Sequence, residues 1–245
     1  MRTPGTKSPM TSWKLDDRIV RGMSALKRKL QADAKSGAHL VGWKLGFGSP
    51  SALANLQIDR PLVGYLLDRN QIANDESVKI STWSKPIGEA EIAIYFGKDI
   101  PQSASIDQIM ACISALGPAI EIADLNLVPT DPETILGEDI FQRHYILGEK
   151  DELRAGGNIE GLIANISMPD SSITRVTNLQ ALTGEIPTIL HHFATFAEEF
   201  DEGVKAGQFV IIGSIVPPIL VSAGESFSYS LGGYNMLKVN FLNEI

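Results

Sequence analysis

Three glutamates carry the densest chemical signal in this chain. In the segment Gly88-Glu89-Ala90-Glu91-Ile92-Ala93-Ile94-Tyr95-Phe96, strand periodicity puts Glu89, Glu91, Ala93 and Tyr95 on one face and the alternate, apolar residues on the other. Two acids on one face stand roughly 7 Å apart at Cα, close enough for both carboxylates to converge on one ion. Glu121 interrupts the apolar run Pro118-Ala119-Ile120-Glu121-Ile122-Ala123, and burying it without a partner is costly. Hard oxygen donors of this kind suit Mg²⁺ or Mn²⁺, which keep coordination positions for water or a chelating substrate. The structural alternatives are a solvated strand face for the Glu-Ala-Glu, and an edge strand or a paired lysine for Glu121.

The elements that must position these acids follow from periodicity and breakers. Residues 1–12 read as a loose tail, and Ile19, Val20, Met23, Leu26 and Leu30 recur at helical spacing, so an amphipathic helix is expected over 15–34. Strands are expected at 39–45, 64–67, 78–80, 89–96 and 119–123, with a brief helix at 51–56. A helix is expected over 106–116, stopped by Gly117-Pro118. Further strands are expected at 145–147, 162–167, 173–176, 209–212, 219–222, 226–230 and 236–241. A second amphipathic helix is expected over 187–200, with Pro187 in its first turn. Many short strands with few helices predict a mixed, β-rich α+β fold rather than a doubly wound sheet.

Bulk properties narrow the function classes. The 245 residues suffice for a sizeable core, and 44% hydrophobic with 20% charged residues is a globular composition. A net charge of -8 argues against nucleic acid or an anionic membrane as partner. The single cysteine, Cys112, lies among small apolar residues and reads as core rather than nucleophile. With no apolar run of membrane-spanning length and no signal-peptide pattern, the expected location is the cytoplasm. His191 and His192 are adjacent in an apolar helix and point in different directions, so at most one faces a site. His144 reads as a capping or edge residue.

Val41-Gly42-Trp43-Lys44-Leu45-Gly46, Ile58-Asp59-Arg60-Pro61-Leu62-Val63-Gly64, Glu89-Ala90-Glu91 and Gly117-Pro118-Ala119-Ile120-Glu121 occur in this order. Order and spacing resemble the 2-keto-4-pentenoate hydratase family, which includes 4-oxalocrotonate decarboxylases and belongs to the fumarylacetoacetate hydrolase-like superfamily. Lys205 to Ser214 and Ser222 to Phe227 extend the resemblance toward the C-terminus. It implies a mixed β-sandwich or roll with peripheral helices, residues 41–245 forming one catalytic unit behind an N-terminal tail and helical section at 1–40. It also implies that Glu89, Glu91 and Glu121 ligate Mg²⁺ or Mn²⁺ and that Lys44 is the active-site lysine. Leu45, Gly46, Ser214 and Val216 fall where the family contacts substrate. Asp59 either orients Lys44 or opens the turn at Arg60-Pro61, and Ser214 has turn forming as its structural alternative.

The implied chemistry is that of a metal-dependent lyase on a small 2-oxo acid, hydratase first and decarboxylase second, in a homo-oligomer that can associate with a related enzyme. Several family positions differ here. Ile87 stands where the family has an arginine, Leu62 replaces an acid, Glu138-Asp139 replaces Asp-Asn, and Val216 replaces a threonine. Thr177 to Gln180 and Gly184-Glu185-Ile186 replace polar stretches. Such losses change which carboxylates a pocket can pair. Two further readings follow: an acylpyruvate hydrolase, disfavoured by the scarcity of histidine near the site, and a catalytically reduced metal-binding partner subunit.

Overall fold

The computed structural model describes residues 16–168, 172–200 and 203–244; the expected tail at 1–12 lies outside them. The chain opens with α1 (Asp17–Lys35), capped by the Asp16 carboxylate, which accepts the Arg18 N–H. Its buried Ile19, Met23 and Leu26 join the same core as the strands. Then come β1 (Leu40–Gly46), α2 (Pro50–Leu56), β2 (Leu62–Leu67), β3 (Glu76–Lys79), β4 (Pro86–Phe96), α3 (Ile106–Met110) and β5 (Ile113–Asp124). The second half holds α4 (Pro132–Gly137), β6 (Gln142–Leu147), β7 (Ala164–Ser167), β8 (Ile173–Val176), α5 (Ile186–Ala197), β9 (Phe209–Ile211), β10 (Ile219–Leu220), β11 (Ser226–Leu231) and β12 (Leu237–Leu242).

Two sheets result. The larger runs β2-β1-β9-β4-β5-β6, with β10 also on β4; the smaller runs β3-β12-β11-β7-β8. Pairing is antiparallel except for β1 with β9 and β3 with β12, as expected of a mixed fold. The larger sheet curls: Gln71, just past β2, bridges Tyr145 of β6 at the opposite edge, and the Tyr145 hydroxyl donates to the Leu67 carbonyl at 3.1 Å. Ala93, Ala115 and Ala119 pack with Tyr95, Tyr145 and Phe209 inside the curl, where small residues let the walls approach. On the outer face, α5 lays Phe193 against Trp43 and Phe96, with ring centroids 5.9 and 6.0 Å apart.

The helix expected over 106–116 is corrected. α3 ends at Met110, and β5 runs through Gly117-Pro118 rather than stopping there. Ile106, Ile109, Ile113 and Leu116 have helical spacing, but residues 113–116 pair with β4 instead, a tertiary override of local preference. Gly117 is required because a Cβ there would lie 2.3 Å from the Glu149 carbonyl oxygen. Pro118 is tolerated because its missing N–H falls at the break between the Ala119–Leu147 pairing and the Leu116–Asp151 bridge.

α4, not among the expected helices, starts at Asp131 as N-cap with Pro132 in its first turn. It packs on α1, where Gly22 gives room: a Cβ would meet Leu136 Cβ at 2.8 Å. Beyond it Asp139, Ile140 and Phe141 all adopt positive φ (53°, 53° and 63°). Three consecutive left-handed residues are costly outside glycine, and this turn delivers Asp139 and Ile140 to the site.

Candidate metal centre

β4 and β5 build the site. Their register places Glu89 directly opposite Glu121, with Glu91 opposite Ala119, so all three acids share the inner face of the curled sheet. One carboxylate oxygen from each of Glu89, Glu91 and Glu121 lies within 4.8 Å of the others. Glu91 and Glu121 are buried and Glu89 is partly open to a cavity. The solvated-face reading of the Glu-Ala-Glu therefore does not describe this strand.

β1 adds Lys44, 1% exposed. Its Nζ donates to Glu121 Oε1 and, at 3.2 Å, to the Ile140 carbonyl. Burial disfavours the ammonium, but the charges of Glu121 and Glu89 outweigh it and lift the Lys44 pKa above its ordinary value. Glu89 is pushed up to about 8 by burial and then by the Glu121 charge, with Lys44 opposing. Glu91 is raised well above the carboxylate range by burial and the other two acids, although its Oε2 accepts the Gly213 N–H at 2.8 Å.

Three carboxylates against one ammonium leave this corner short of positive charge. The donor set, all oxygen and crowded in a buried site, fits a hard divalent cation, which removes that repulsion.

Behind Lys44 stands Asp139, buried and held by the Tyr65 N–H at 2.9 Å. Burial raises its pKa to about 8, while Lys44 and the Tyr65 N–H pull it down. Gly64 makes the arrangement fit: a Cβ there would sit 2.6 Å from Asp139 Oδ1 and 3.1 Å from Lys44 Cγ. The sequence marks Asp139 only within Glu138-Asp139, as a departure from the family's Asp-Asn pair with a solvated loop as the alternative, and it carries no signal for the Ile140 carbonyl.

A cavity of about 290 Å³ opens onto the corner, lined among others by Lys44, Glu89 and Glu121. Leu45, Gly46, Ser214 and Val216 also line it. Ser214 Oγ is buried with no hydrogen-bond partner among the described residues, so a polar acceptor or donor there is left for a ligand. Asp59 is placed differently from the orienting role: its side chain is 57% exposed, its carboxylate is 3.9 Å from Arg60, and it is not among the cavity walls. Lys44 is held by Glu121 and Ile140 instead, and Asp59 sits at the bend before β2.

No histidine lines the cavity among the described residues. His192 is a core residue of α5, its Nε2 2.8 Å from the Pro61 carbonyl, and His144 lies within β6, stacked on Trp83. Cys112 is buried. No helix among the described residues is long and apolar enough to cross a membrane.

No protein-family model matches the chain. It is 25% identical over 209 residues to 2-keto-4-pentenoate hydratase 2 of Dechloromonas aromatica (strain RCB), covering 84% of this chain and 79% of that protein. To a 4-oxalocrotonate decarboxylase of Pseudomonas putida it is 21% identical over 213 residues, again 84% and 79% of the two chains. Among solved structures, 4-oxalocrotonate decarboxylase from Pseudomonas putida G7, complexed with magnesium and adipate, superposes with a TM-score of 0.79 at 19% identity, covering 90% of this chain and 86% of that one. A protein from Yersinia pestis CO92 assigned to the fumarylacetoacetate hydrolase family superposes with a TM-score of 0.57 at 15% identity, covering 84% of this chain and 94% of that one, so the mixed α+β fold with curled sheets is of the fumarylacetoacetate hydrolase-like type.

Proposed function

Because the chain is a divergent member of the 2-keto-4-pentenoate hydratase and 4-oxalocrotonate decarboxylase family, we propose that it is a divalent-metal-dependent lyase acting on a small 2-oxo or 2-hydroxy-dienoic acid, with hydration as its reaction. The convergence of Glu89, Glu91 and Glu121 within 4.8 Å, with Glu89 and Glu121 lining a cavity, carries this reading. Those three carboxylates would hold Mg²⁺ or Mn²⁺; magnesium accompanies the related decarboxylase. When bound, the ion supplies a Lewis acid for negative charge developing on the oxygens of a 2-oxo acid.

The chain's own groups do the rest. Gly213 fixes the Glu91 carboxylate through its N–H, and the turn at 139–141 supplies the carbonyl that aims the Lys44 amine. Lys44, held charged, is the group placed to give a proton to the carbon framework of the substrate. Its stem is packed against Gly64, so the amine has little freedom to stray from that position. Ser214 Oγ offers a hydrogen bond to a bound carboxylate or hydroxyl. The same reading includes a homo-oligomer able to associate with a related enzyme.

The experiment is a titration of the metal-free protein with Mg²⁺ and Mn²⁺, followed by ultraviolet assays on 2-hydroxypenta-2,4-dienoate, 4-oxalocrotonate and an acylpyruvate. Metal-dependent loss of the dienoate is expected. Metal binding with turnover of none of the three would replace the enzyme with a non-catalytic, metal-binding partner subunit.

A further inference from the structure

The far end of the cavity contrasts with the metal corner. Along β4 and β5, the next pair on the face of Glu89 and Glu121 is Ile87 and Ala123, register partners one step further from Glu91. Leu125, Val216, Pro217 and Pro218 continue this wall. Lys44 is the only cationic residue among the described cavity-lining residues, and its amine is already bonded to Glu121. Arg143 lies 3.8 Å from Asp124. Asp124 alternates with Ala123 on β5 and so faces away from it, its Oδ1 taking the Ser84 and Lys85 N–H groups.

Resting on the lyase reading above, we propose that Ile87, Ala123, Leu125 and Val216 form a specificity subsite selecting 2-oxo or 2-hydroxy-dienoic monocarboxylates whose far end is an apolar alkyl or aryl group. In this subsite the tail of a substrate chelated at the acids would run along the Ile87–Ala123 rung. An apolar tail there leaves no polar group unpaired and gains by leaving water. A second carboxylate would be stripped of water with no cation to meet it, which a buried site penalises heavily. At about 290 Å³ the cavity is also larger than a pyruvate moiety alone requires and lies near the lower end of cavities that hold drug-sized ligands, ~300–1,000 Å³.

The test is calorimetric binding to the Mn²⁺-loaded protein of oxalate, 2-oxohexanoate, 2-oxoadipate and 4-phenyl-2-oxobutanoate. Oxalate reports the metal corner without a tail. 2-Oxohexanoate and 2-oxoadipate share a chain and differ at its end, methyl against carboxylate. The expected result is that oxalate binds and that 2-oxohexanoate binds at least about tenfold tighter than 2-oxoadipate. Ile87→Arg should narrow or reverse that preference, and Ile87→Ala should improve binding of the phenyl compound. Oxalate binding serves in each variant as the sign that fold and metal corner persist. Equal or tighter binding of 2-oxoadipate by the unaltered protein overturns the subsite while leaving the lyase reading standing. So does an unchanged preference in both variants while oxalate still binds. Failure of oxalate to bind the Mn²⁺-treated protein overturns the metal site itself, and the subsite with it.

Discussion

Glu89 and Glu121 face each other as direct partners across the β4–β5 ladder in a buried corner where ionising both is opposed, so that Glu89 is pushed up to about 8 by burial and the Glu121 charge. Like charges so placed destabilise a sheet, and Lys44 offsets only part of the repulsion because its amine is bonded to Glu121 alone of the three acids. A divalent ion should therefore stabilise the fold as it binds. At a hundredfold excess over Kd the gain is about 2.7 kcal/mol, a rise in melting temperature of about 5–10 °C for a chain of this size. Glu89→Gln should raise the melting temperature of the metal-free protein and abolish the Mn²⁺-dependent rise. An unaltered metal response in that variant would remove Glu89 from the ligand set.

Lys44→Met takes away the cation and leaves Glu121 buried without its partner. Breaking a buried pair from one side costs about 3–5 kcal/mol, so urea should unfold the metal-free variant at a clearly lower concentration. Saturating Mn²⁺ should recover part of the loss. Turnover should fall by about 10²-fold or more even with metal bound, because proton transfer loses its donor. A variant with wild-type turnover would assign the acid/base role elsewhere.

Gly64→Ala probes the positioning of Lys44 from behind. The new methyl would lie 2.6 Å from Asp139 Oδ1 and 3.1 Å from Lys44 Cγ, so one of the two must move. Overpacking of this kind costs about 1–3 kcal/mol, and displacement of the amine should lower kcat about tenfold or more with little change in the affinity for Mn²⁺. Loss of metal affinity equal to the loss of kcat would mean that the whole corner had shifted.

His192 sets a pH dependence away from the site. The Pro61 carbonyl can only accept, so Nε2 carries the proton of a neutral ring. Burial holds the His192 pKa down to about 4, against the raising effect of that bond. The folded value lies below the unfolded one, so between about pH 6.5 and 4 the unfolded chain binds a proton that the folded chain refuses. Stability is full above this window and falls by about 3 kcal/mol as pH drops through it. His192→Gln should lose this component, and its urea midpoint should fall less than that of the unaltered protein between pH 7.5 and 4.5. Parallel declines would refute the assignment.

Strand periodicity at 89–96, with acids on one face and bulky apolar residues on the other, was legible because alternation is a local property of the backbone. So were α1 and α5, whose apolar stripes and flanking breakers need no distant partner. The end of α3 was not legible: residues 106–116 satisfy helical spacing, and only the pairing of 113–116 with β4 makes them strand. Residue types and spacing marked Glu89, Glu91 and Glu121 as able to hold a hard cation, whereas Lys44 was marked only by the resemblance to the family. Tertiary structure decided that they meet, since Lys44 bonds Glu121 across 77 positions and Gly213 reaches Glu91 across 122. It also replaced Asp59 with Asp139 and Ile140 behind the lysine, through a left-handed turn that no spacing rule announces. The physical reason is range: side-chain alternation is set by neighbours in the chain, whereas register and close approach are set by which distant strands the core forces together.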